Sequence, residues 1–458
     1  MARTSQRRLT VALVLLVTVV ATEAMAVATI LPIIRAELGG LSWYGWVFAA
    51  FSLAQIVAIP LTGQWVDRMN PALPLVGGVA SFAAGLVVGT VAPSMPILVL
   101  GRVLQGFGAG VVPAVAYVCV GRGYAEDDRP RVFAFMSTAW VVPALASPAL
   151  ASVVAEHLGW RWVFGGLVPF TIVAAALAVP AVSRLGSVPP VPSLELPASQ
   201  TVPSLVLAIG ATALIAGFNL REVVAAVAVS LAGLVVTGIA FRRLTPIGTG
   251  RLAPGLPAAV GLRGVMTLSF FAADAYVSLT VTAVRHTGTI YAGVALAAGT
   301  MTWTAGSWLQ ARVVQRVGPR VLARVGFAIV AAGSALMWSV AATDVPTWVA
   351  VVAWAVAGLG IGMSYAVFGL VVLSSAEPGR EGFSTAALQL SDALGIAVGT
   401  GLGGVVVATA TRWGRPISDG LAVVFSASVV VALLGAVGAA RLPGPRRPVD
   451  SPVTALSS

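Results

Sequence analysis

Long apolar runs recur along almost the whole 458-residue chain, and they constrain its fold more than any other feature. A helix that crosses a bilayer needs roughly 20 apolar residues. Runs of about this length occur fourteen times, at about 10–33, 43–66, 73–92, 95–119, 132–155, 162–182, 204–218, 222–241, 258–284, 289–310, 321–342, 346–374, 383–408 and 419–441. The pattern predicts an all-α integral membrane protein with about fourteen transmembrane helices.

The scarcity of charge excludes a soluble globular protein. Charged residues make up 9% of the chain, whereas soluble domains carry about 25%. The net charge of +11 does not indicate a nucleic-acid partner, because the 27 basic residues stand singly or in pairs between the apolar runs. All of them are arginine, which indicates a GC-rich, bacterial genome.

The distribution of arginine predicts the orientation in the membrane. If the N-terminus is cytoplasmic, nineteen arginines fall on the inner side and six on the outer side, as the positive-inside rule requires. Both termini are therefore expected in the cytoplasm, in a multi-pass protein of the cell inner (plasma) membrane. The first run continues to Leu31 without a small-residue cleavage site, which favours a first span over a signal peptide.

The order of runs predicts two helical bundles with a helix pair between them. The expected regions are an N-terminal six-helix bundle at 1–183, a cytoplasmic Pro-rich linker at 184–203, an extra transmembrane pair at 204–242, a C-terminal six-helix bundle at 243–445 and a cytoplasmic tail at 446–458. The seventh run is barely long enough to cross, so twelve spans with a re-entrant hairpin are the alternative. The segments Gly63–Arg68 and Gly306–Arg320 echo each other, and internal repeats are typical of secondary transporters.

Short motifs in the first half are the most specific signals. The first run carries Glu23 nine residues before Pro32, and the second ends in GQWVDR, with Gly63, Asp67 and Arg68. The fourth run contains GRVLQGFGAGVVPA, which places on one helix Arg102, Gln105, Gly106, Gly108 and Gly110. The fifth contains SPALAS around Pro148, followed by GWRWVF.

In this order the motifs resemble those of the major facilitator superfamily, and most of all its fourteen-span drug:proton antiporter branch. The resemblance covers nearly the whole chain. It implies two six-helix bundles around a central site, a gate formed by Gly63, Asp67 and Arg68, and a helix-packing or antiporter motif formed by Gln105, Gly106, Gly108, Gly110 and Pro148.

Three segments depart from the family pattern. The loop after Arg68 reads Met-Asn-Pro-Ala, where the family continues with glycine and basic residues. Ser147, Ala151 and Ser152 stand where the antiporter motif has glycines, and Glu23 stands where the family often has aspartate. A solvated turn is the alternative interpretation of Asp67 and Arg68.

Four ionisable residues at bilayer depth are the candidates for proton coupling: Glu23, Arg102, Asp274 and Asp392. At about 1.5 Å per residue, Glu23 and Arg102 fall at a similar depth in the outer half, where they could pair or compete for a proton. A static ion pair between two helices is the alternative. Asp274 and Asp392 fall near the middle of the membrane, where they contact protons or substrate or else have a structural role.

The residues do not favour a metal centre, a cofactor or an enzyme. Cys119 is the single cysteine, and the two histidines, His157 and His286, fall near predicted outer loops. The glycine-rich segments lack the βαβ context of dinucleotide binding, and no phosphate-binding loop is present, so the proton is the expected coupling ion.

We therefore expect a monomeric, proton-coupled secondary active transporter that exports lipophilic or drug-like small molecules by alternating access. Export of an endogenous metabolite or lipid, or uptake by proton symport, is the alternative within transport. A membrane-embedded enzyme or a sensor is less compatible with the residues, because no nucleophile and base cluster at depth and no stretch is long enough for an output domain.

Overall fold

The structure, a computed structural model, describes residues 3–39, 43–186, 200–218, 220 and 222–444. In these ranges the chain is almost entirely helical and contains no β-strand. The predicted tail at 446–458 and the part of the predicted linker at 187–199 lie outside the described residues. An all-helical fold suits such apolar sequences, because a helix satisfies its backbone hydrogen bonds internally where lipid offers none.

Sixteen α-helices lie within the described residues. In chain order they are α1 (Arg3–Leu38), α2 (Tyr44–Arg68), α3 (Ala72–Val91), α4 (Met95–Gly123), α5 (Arg129–Thr138), α6 (Val141–His157), α7 (Arg161–Gly165), α8 (Leu167–Ser183), α9 (Thr201–Phe218), α10 (Val223–Leu244), α11 (Leu256–Leu279), α12 (Thr289–Val317), α13 (Pro319–Ala342), α14 (Trp348–Ser375), α15 (Glu381–Arg412) and α16 (Ile417–Gly438).

Twelve helical segments in the described part of the chain are long and apolar enough to cross a membrane. Two of these segments are interrupted helices, α5 with α6 and α7 with α8. The predicted count of fourteen spans is not confirmed, because α9 and α12 are not among the twelve. The apolar part of α9, Thr201–Leu214, is short. The 29-residue α12 is long enough, but it carries threonine, glycine and tryptophan in place of aliphatic residues.

The two halves of the chain pack in the same way. In the first half, α2 and α3 pack on α4, and α1 packs on α4, α6 and α8. In the second half, α12 and α13 pack on α14, and α11 packs on α15 and α16. Helices α4 and α14 are the most deeply buried of the twelve candidate spans. Helix α10 is largely exposed and packs on α9, which in turn contacts α2.

Glycine explains how α4 and α14 approach their neighbours so closely. A methyl group at Gly106 would collide with the backbone of α2, and one at Gly110 would lie 2.7 Å from a carbonyl oxygen of α2. Methyl groups at Gly358 and Gly362 would collide with the backbone of α12 in the same way. Small residues let helix backbones approach within a membrane.

The glycines form a triplet on each helix: Gly106, Gly108 and Gly110 on α4, and Gly358, Gly360 and Gly362 on α14. The middle glycine of each triplet faces a third helix. Gly108 packs on the backbone of α3 at Gly78, and Gly360 packs on that of α13 at Gly326. The units α2–α3–α4 and α12–α13–α14 are therefore equivalent. The two segments whose sequences echo each other, at the ends of α2 and α12, occupy corresponding positions in these units.

Candidate functional site

A buried ion pair joins the first two charged residues predicted at bilayer depth. Glu23 on α1 pairs with the guanidinium of Arg102 on α4, and the two residues are 0% and 2% exposed. The same Arg102 donates to the side-chain oxygen of Gln105 at 2.6 Å and to the backbone oxygen of Val47, on α2, at 3.1 Å. Arg102 therefore connects α1, α2 and α4 in the interior of the first half.

The carboxylate of this pair is only half satisfied. Oε2 of Glu23 and Nε2 of Gln105 are buried and have no hydrogen-bond partner among the described residues. The ring of Phe51 lies 4.3 Å from the guanidinium carbon of Arg102 and covers its face. One carboxylate oxygen thus holds the arginine while the other keeps its lone pairs available.

The second half contains its own buried pair, which includes a residue that the sequence analysis missed. Arg263 on α11 is fully buried and donates through Nε to Oδ1 of Asp392, on α15, at 2.7 Å. The hydroxyl of Tyr365 donates to Oδ2 of Asp392 at 3.0 Å. Arg263 also lies 3.4 Å from the hydroxyl of Tyr117, which belongs to α4 in the first half. An arginine inside the apolar run 258–284 was the available signal.

Asp274 lies apart from both pairs. Its Oδ1 accepts a hydrogen bond of 2.8 Å from the indole of Trp354, and no cation of the described residues lies within ion-pair distance. One turn earlier, Phe270 packs on Trp354 and Trp303, with ring centroids 5.2 and 5.5 Å apart. The carboxylate therefore borders an aromatic cluster and is held by an indole rather than by a neighbouring hydroxyl.

Asp67 caps a helix of the opposite half. Its two carboxylate oxygens accept hydrogen bonds from the backbone N–H groups of Gly382, at 2.6 Å, and Phe383, at 2.8 Å. These groups belong to the first turn of α15, where the helix dipole favours a negative charge. The Asp67 side chain is 5% exposed, so it does not lie in a solvated turn. Arg68 beside it is exposed.

Two further residues tighten this contact between the halves. A methyl group at Gly63, one turn before Asp67, would lie 2.5 Å from Cβ of Ala386 on α15. Arg122 at the end of α4 lies 3.7 Å from Asp67 and 3.5 Å from Glu381. The predicted gate residues Gly63 and Asp67 therefore both lie in the contact between α2 and α15.

A second junction between the halves lies at the same end of the molecule, here called the α2–α3 end. Gln315 near the end of α12 donates to Asp127, before α5, at 3.1 Å. The indole of Trp308 donates to Thr138 at 3.1 Å, and its ring packs on Phe135. The end of α12 thus meets the start of α5, as the end of α2 meets the start of α15. The structure is closed at the α2–α3 end.

The remaining predicted residues have packing positions. Gly106, Gly108 and Gly110 contact α2 and α3, as described above, and Pro148 lies half-buried within α6, which packs on α1. Among the described residues, no group of three or more histidine, cysteine, aspartate or glutamate side chains could hold a metal ion.

Sequence comparison decides the family. The family described as Major Facilitator Superfamily matches residues 13–400. The chain belongs to the Major Facilitator Superfamily. It is therefore a multi-pass membrane transporter, in agreement with the resemblance inferred from its motifs.

Relatives in this superfamily include named efflux proteins. The chain is 29% identical over 424 residues, covering 89% of this chain and 88% of the relative, to a "Probable multidrug-efflux transporter" of Mycobacterium tuberculosis. It is 24% identical over 169 residues to the "Multidrug efflux pump SdrM" of Staphylococcus aureus, covering 37% of this chain and 38% of the relative.

Solved structures share the fold. The human organic anion transporter MFSD10 superposes with a TM-score of 0.67 at 14% identity, covering 95% of this chain and 99% of that protein. The proton:xylose symporter XylE superposes with a TM-score of 0.67 at 15% identity, covering 95% and 96%.

Proposed function

We propose that this superfamily member is a proton-coupled exporter of lipophilic or drug-like small molecules, of the drug:proton antiporter branch. The observation that carries the proposal is the buried Glu23–Arg102 pair with its half-satisfied carboxylate. Burial disfavours the charged carboxylate and the adjacent guanidinium favours it, and a group that carries protons needs both of these opposing effects. The efflux proteins named above support the export direction and the substrate class.

The location of the pair suits a coupling group. Its contacts lie on α1, α2 and α4, which belong to one half, so the pair can persist while the halves move relative to each other. Protonation of Glu23 from outside would release the substrate, and loss of that proton inside would allow the next substrate to bind. One charge that crosses 100 mV supplies about 2.3 kcal/mol.

Alternating access then requires the closed end to open. Opening breaks the hydrogen bonds of Asp67 to the first turn of α15 and the contacts between α12 and α5. Because both junctions are built from hydrogen bonds, ion pairs of Arg122 and side-chain packing, with no covalent link, they can re-form after substrate release.

We assign the α2–α3 end to the cytoplasm of the inner membrane, with both termini there and with α9 and α10 as the extra pair that completes fourteen spans. The close approach of Gly233 on α10 to the backbone of α9 supports a packed pair. Cysteine at Ser375, exposed at the α2–α3 end, should react with an impermeant thiol reagent only after permeabilisation. Cysteine at Glu156, exposed at the other end, should react in intact cells. The reverse labelling pattern would overturn the assignment.

The coupling role is tested by transport in proteoliposomes with an imposed pH gradient, screened over dyes, drugs and lipids. In Glu23→Gln, substrate binding should survive, its pH dependence should flatten and gradient-driven transport should disappear. Glu23→Asp should keep substantial activity. The matched control is Glu37→Gln, which removes a half-exposed carboxylate from the same helix and should transport like the native protein. Accumulation by Glu23→Gln under a pH gradient alone would exclude Glu23 as the essential carrier.

Transport measured in the same vesicles distinguishes antiport from symport, and drug-like from endogenous substrates. An antiporter moves substrate against the proton flow, and a symporter moves it with the proton flow. A screen in which only lipids or metabolites are accumulated would replace the drug-like substrate class with an endogenous one.

A further inference from the structure

A cleft at the α2–α3 end combines a basic rim with an apolar wall. It has a volume of about 590 Å³ and lies between the start of α1 and the end of α8. Arg7 and Arg8 line it from α1, and Arg184 lines it from the residue after α8. The apolar wall is formed by Val11, Leu177 and Pro180.

The three arginines are available to a ligand. All three are exposed, and no carboxylate of the described residues forms an ion pair with them. Guanidinium groups pair with phosphate through two parallel hydrogen bonds, which gives both strength and orientation. Three such groups around one cleft therefore favour an anionic phosphate group.

The apolar wall identifies the kind of molecule that carries the phosphate. Val11 and Leu177 are 55% and 50% exposed, although both belong to apolar spans, so they face the surrounding lipid. Val11 follows Arg7 by one helical turn, and Pro180 precedes Arg184 by one turn, so each wall is basic at the rim and apolar deeper in the membrane. A soluble phosphate ion would use the rim but not the wall.

Hydrogen bonds hold both walls in place. Gln6 donates to the backbone oxygen of Gly123 at 3.2 Å, and Thr10 lies 2.7 Å from the hydroxyl of Tyr124. These contacts fix the start of α1 to the end of α4 and leave Arg7 and Arg8 on another face. On the other side, Asn70 donates to the backbone oxygen of Ser183 at 3.0 Å and fixes the end of α8. The cleft is thus a preformed feature rather than a gap between loose ends.

We propose that this cleft binds the headgroup of an anionic phospholipid, with the lipid phosphate on the three arginines and the acyl chains along Val11 and Leu177. Basic pockets between transmembrane helices bind anionic lipid headgroups by the same physical logic. The site lies on the outside of the first half, away from Glu23, so it is separate from the proposed transport pathway. Its existence does not depend on the direction of transport or on proton coupling.

The test is native mass spectrometry of the full chain in detergent, titrated with phosphatidylglycerol. The variant Arg8→Gln/Arg184→Gln should bind this lipid about 25-fold more weakly, since each arginine contributes roughly fivefold. The matched control is Arg242→Gln/Arg243→Gln, which removes two exposed arginines from the end of α10, outside the cleft, and should bind like the native chain. Equal binding by the two double variants would overturn the proposal.

A variant that fills the cleft and two competing ligands identify what binds there, and they do not depend on the folding of the double arginine variant. Ala176→Trp keeps every arginine but fills the cleft, and it should lose the lipid to a similar extent. Phosphatidylcholine, which has no net charge, should bind at least tenfold more weakly, and inorganic phosphate should not displace the lipid at equal concentration. Displacement by phosphate, or full binding by Ala176→Trp, would show that the site does not hold a lipid. If the double variant does not fold, Arg184→Gln alone should bind about fivefold more weakly.

Discussion

The Glu23–Arg102 pair of the first half and the Asp392–Arg263 pair of the second half have the same chemistry but different surroundings. Each arginine lies about two turns from the start of its helix, but α4 and α11 start at opposite ends of the molecule. The pair of the second half therefore lies nearer the closed α2–α3 end. Its arginine reaches Tyr117 of the other half, whereas the contacts of Arg102 all lie within the first half.

The two carboxylates also differ in how fully they are satisfied. Both oxygens of Asp392 accept hydrogen bonds, from Arg263 and from Tyr365, while one oxygen of Glu23 has none among the described residues. A satisfied carboxylate at the junction stabilises one conformation of the transporter. A half-satisfied carboxylate inside one half leaves a place for a proton. The difference makes Glu23 a better candidate for proton coupling than Asp392.

The largest effect is expected from removing the cation of the first pair. Arg102→Met leaves Glu23 buried without a partner and should lower the free energy of unfolding by about 3–5 kcal/mol. Unfolding by SDS in mixed micelles measures the loss. Adding Glu23→Gln to the same chain should restore more than half of it, since no lone charge then remains. A double variant no more stable than Arg102→Met would show that the ion pair is not what stabilises these helices.

A smaller effect is expected from the same change in the second pair. Arg263→Met leaves Asp392 with its hydrogen bond from Tyr365 and 8% exposed, whereas Glu23 is 0% exposed. A retained hydrogen bond to a charged group is worth about 1.5–3 kcal/mol. The loss in the free energy of unfolding should therefore be smaller in Arg263→Met than in Arg102→Met by about this amount. Equal losses in the two variants, measured in the same titration, would contradict the comparison.

Asp67 extends the comparison from the two buried ion pairs to a contact that must break during transport. Asp67→Asn replaces one acceptor with an amide N–H that faces a backbone N–H of α15, at a cost of about 1–2 kcal/mol to the closed state. Transport should slow roughly tenfold while ligand affinity stays within a few-fold. Asp127→Asn is the control, because its amide oxygen still accepts from Gln315. Unchanged initial rates in Asp67→Asn would remove Asp67 from the mechanism.

The smallest effect is expected from the contact that joins Arg263 to the first half. Tyr117→Phe removes a hydroxyl 3.4 Å from the guanidinium but keeps the ring packing on Phe133, with centroids 4.8 Å apart. Stability should change by less than about 1 kcal/mol, and transport should stay within threefold. A larger loss of transport would mean that this hydroxyl contributes more to the closed state than its distance indicates.

The sequence predicted the helices well because lipid requires each spanning helix to be a long run of apolar residues. The apolar runs predicted an all-helical membrane protein, and counting along two runs placed Glu23 and Arg102 at a similar depth, where the structure brings them together. Composition alone does not give the number of spans. Helix α12 packs on α14 and α5 but leaves much of its surface exposed. Its threonine, glycine, tryptophan and arginine residues make it less apolar than α13 and α14.

The contacts between distant segments were beyond sequence reasoning. The partner of Asp67 lies 315 residues away, and only the packing of α2 on α15 brings the two together. Arg263 was overlooked because it lies near the edge of an apolar run, and its pairing with Asp392 depends on how α11 and α15 meet. Depth can be counted along one helix, but the rotation and neighbours of that helix depend on tertiary packing.

The glycine triplets of α4 and α14 have a consequence for how the protein can evolve. Any side chain at Gly106 or Gly362 collides with a neighbouring backbone, so these codons tolerate almost no amino-acid variation. In a random-mutagenesis screen for altered substrate range, they should accumulate synonymous changes alone. New specificities must then arise on other helix faces, while the two glycine-packed cores are inherited unchanged.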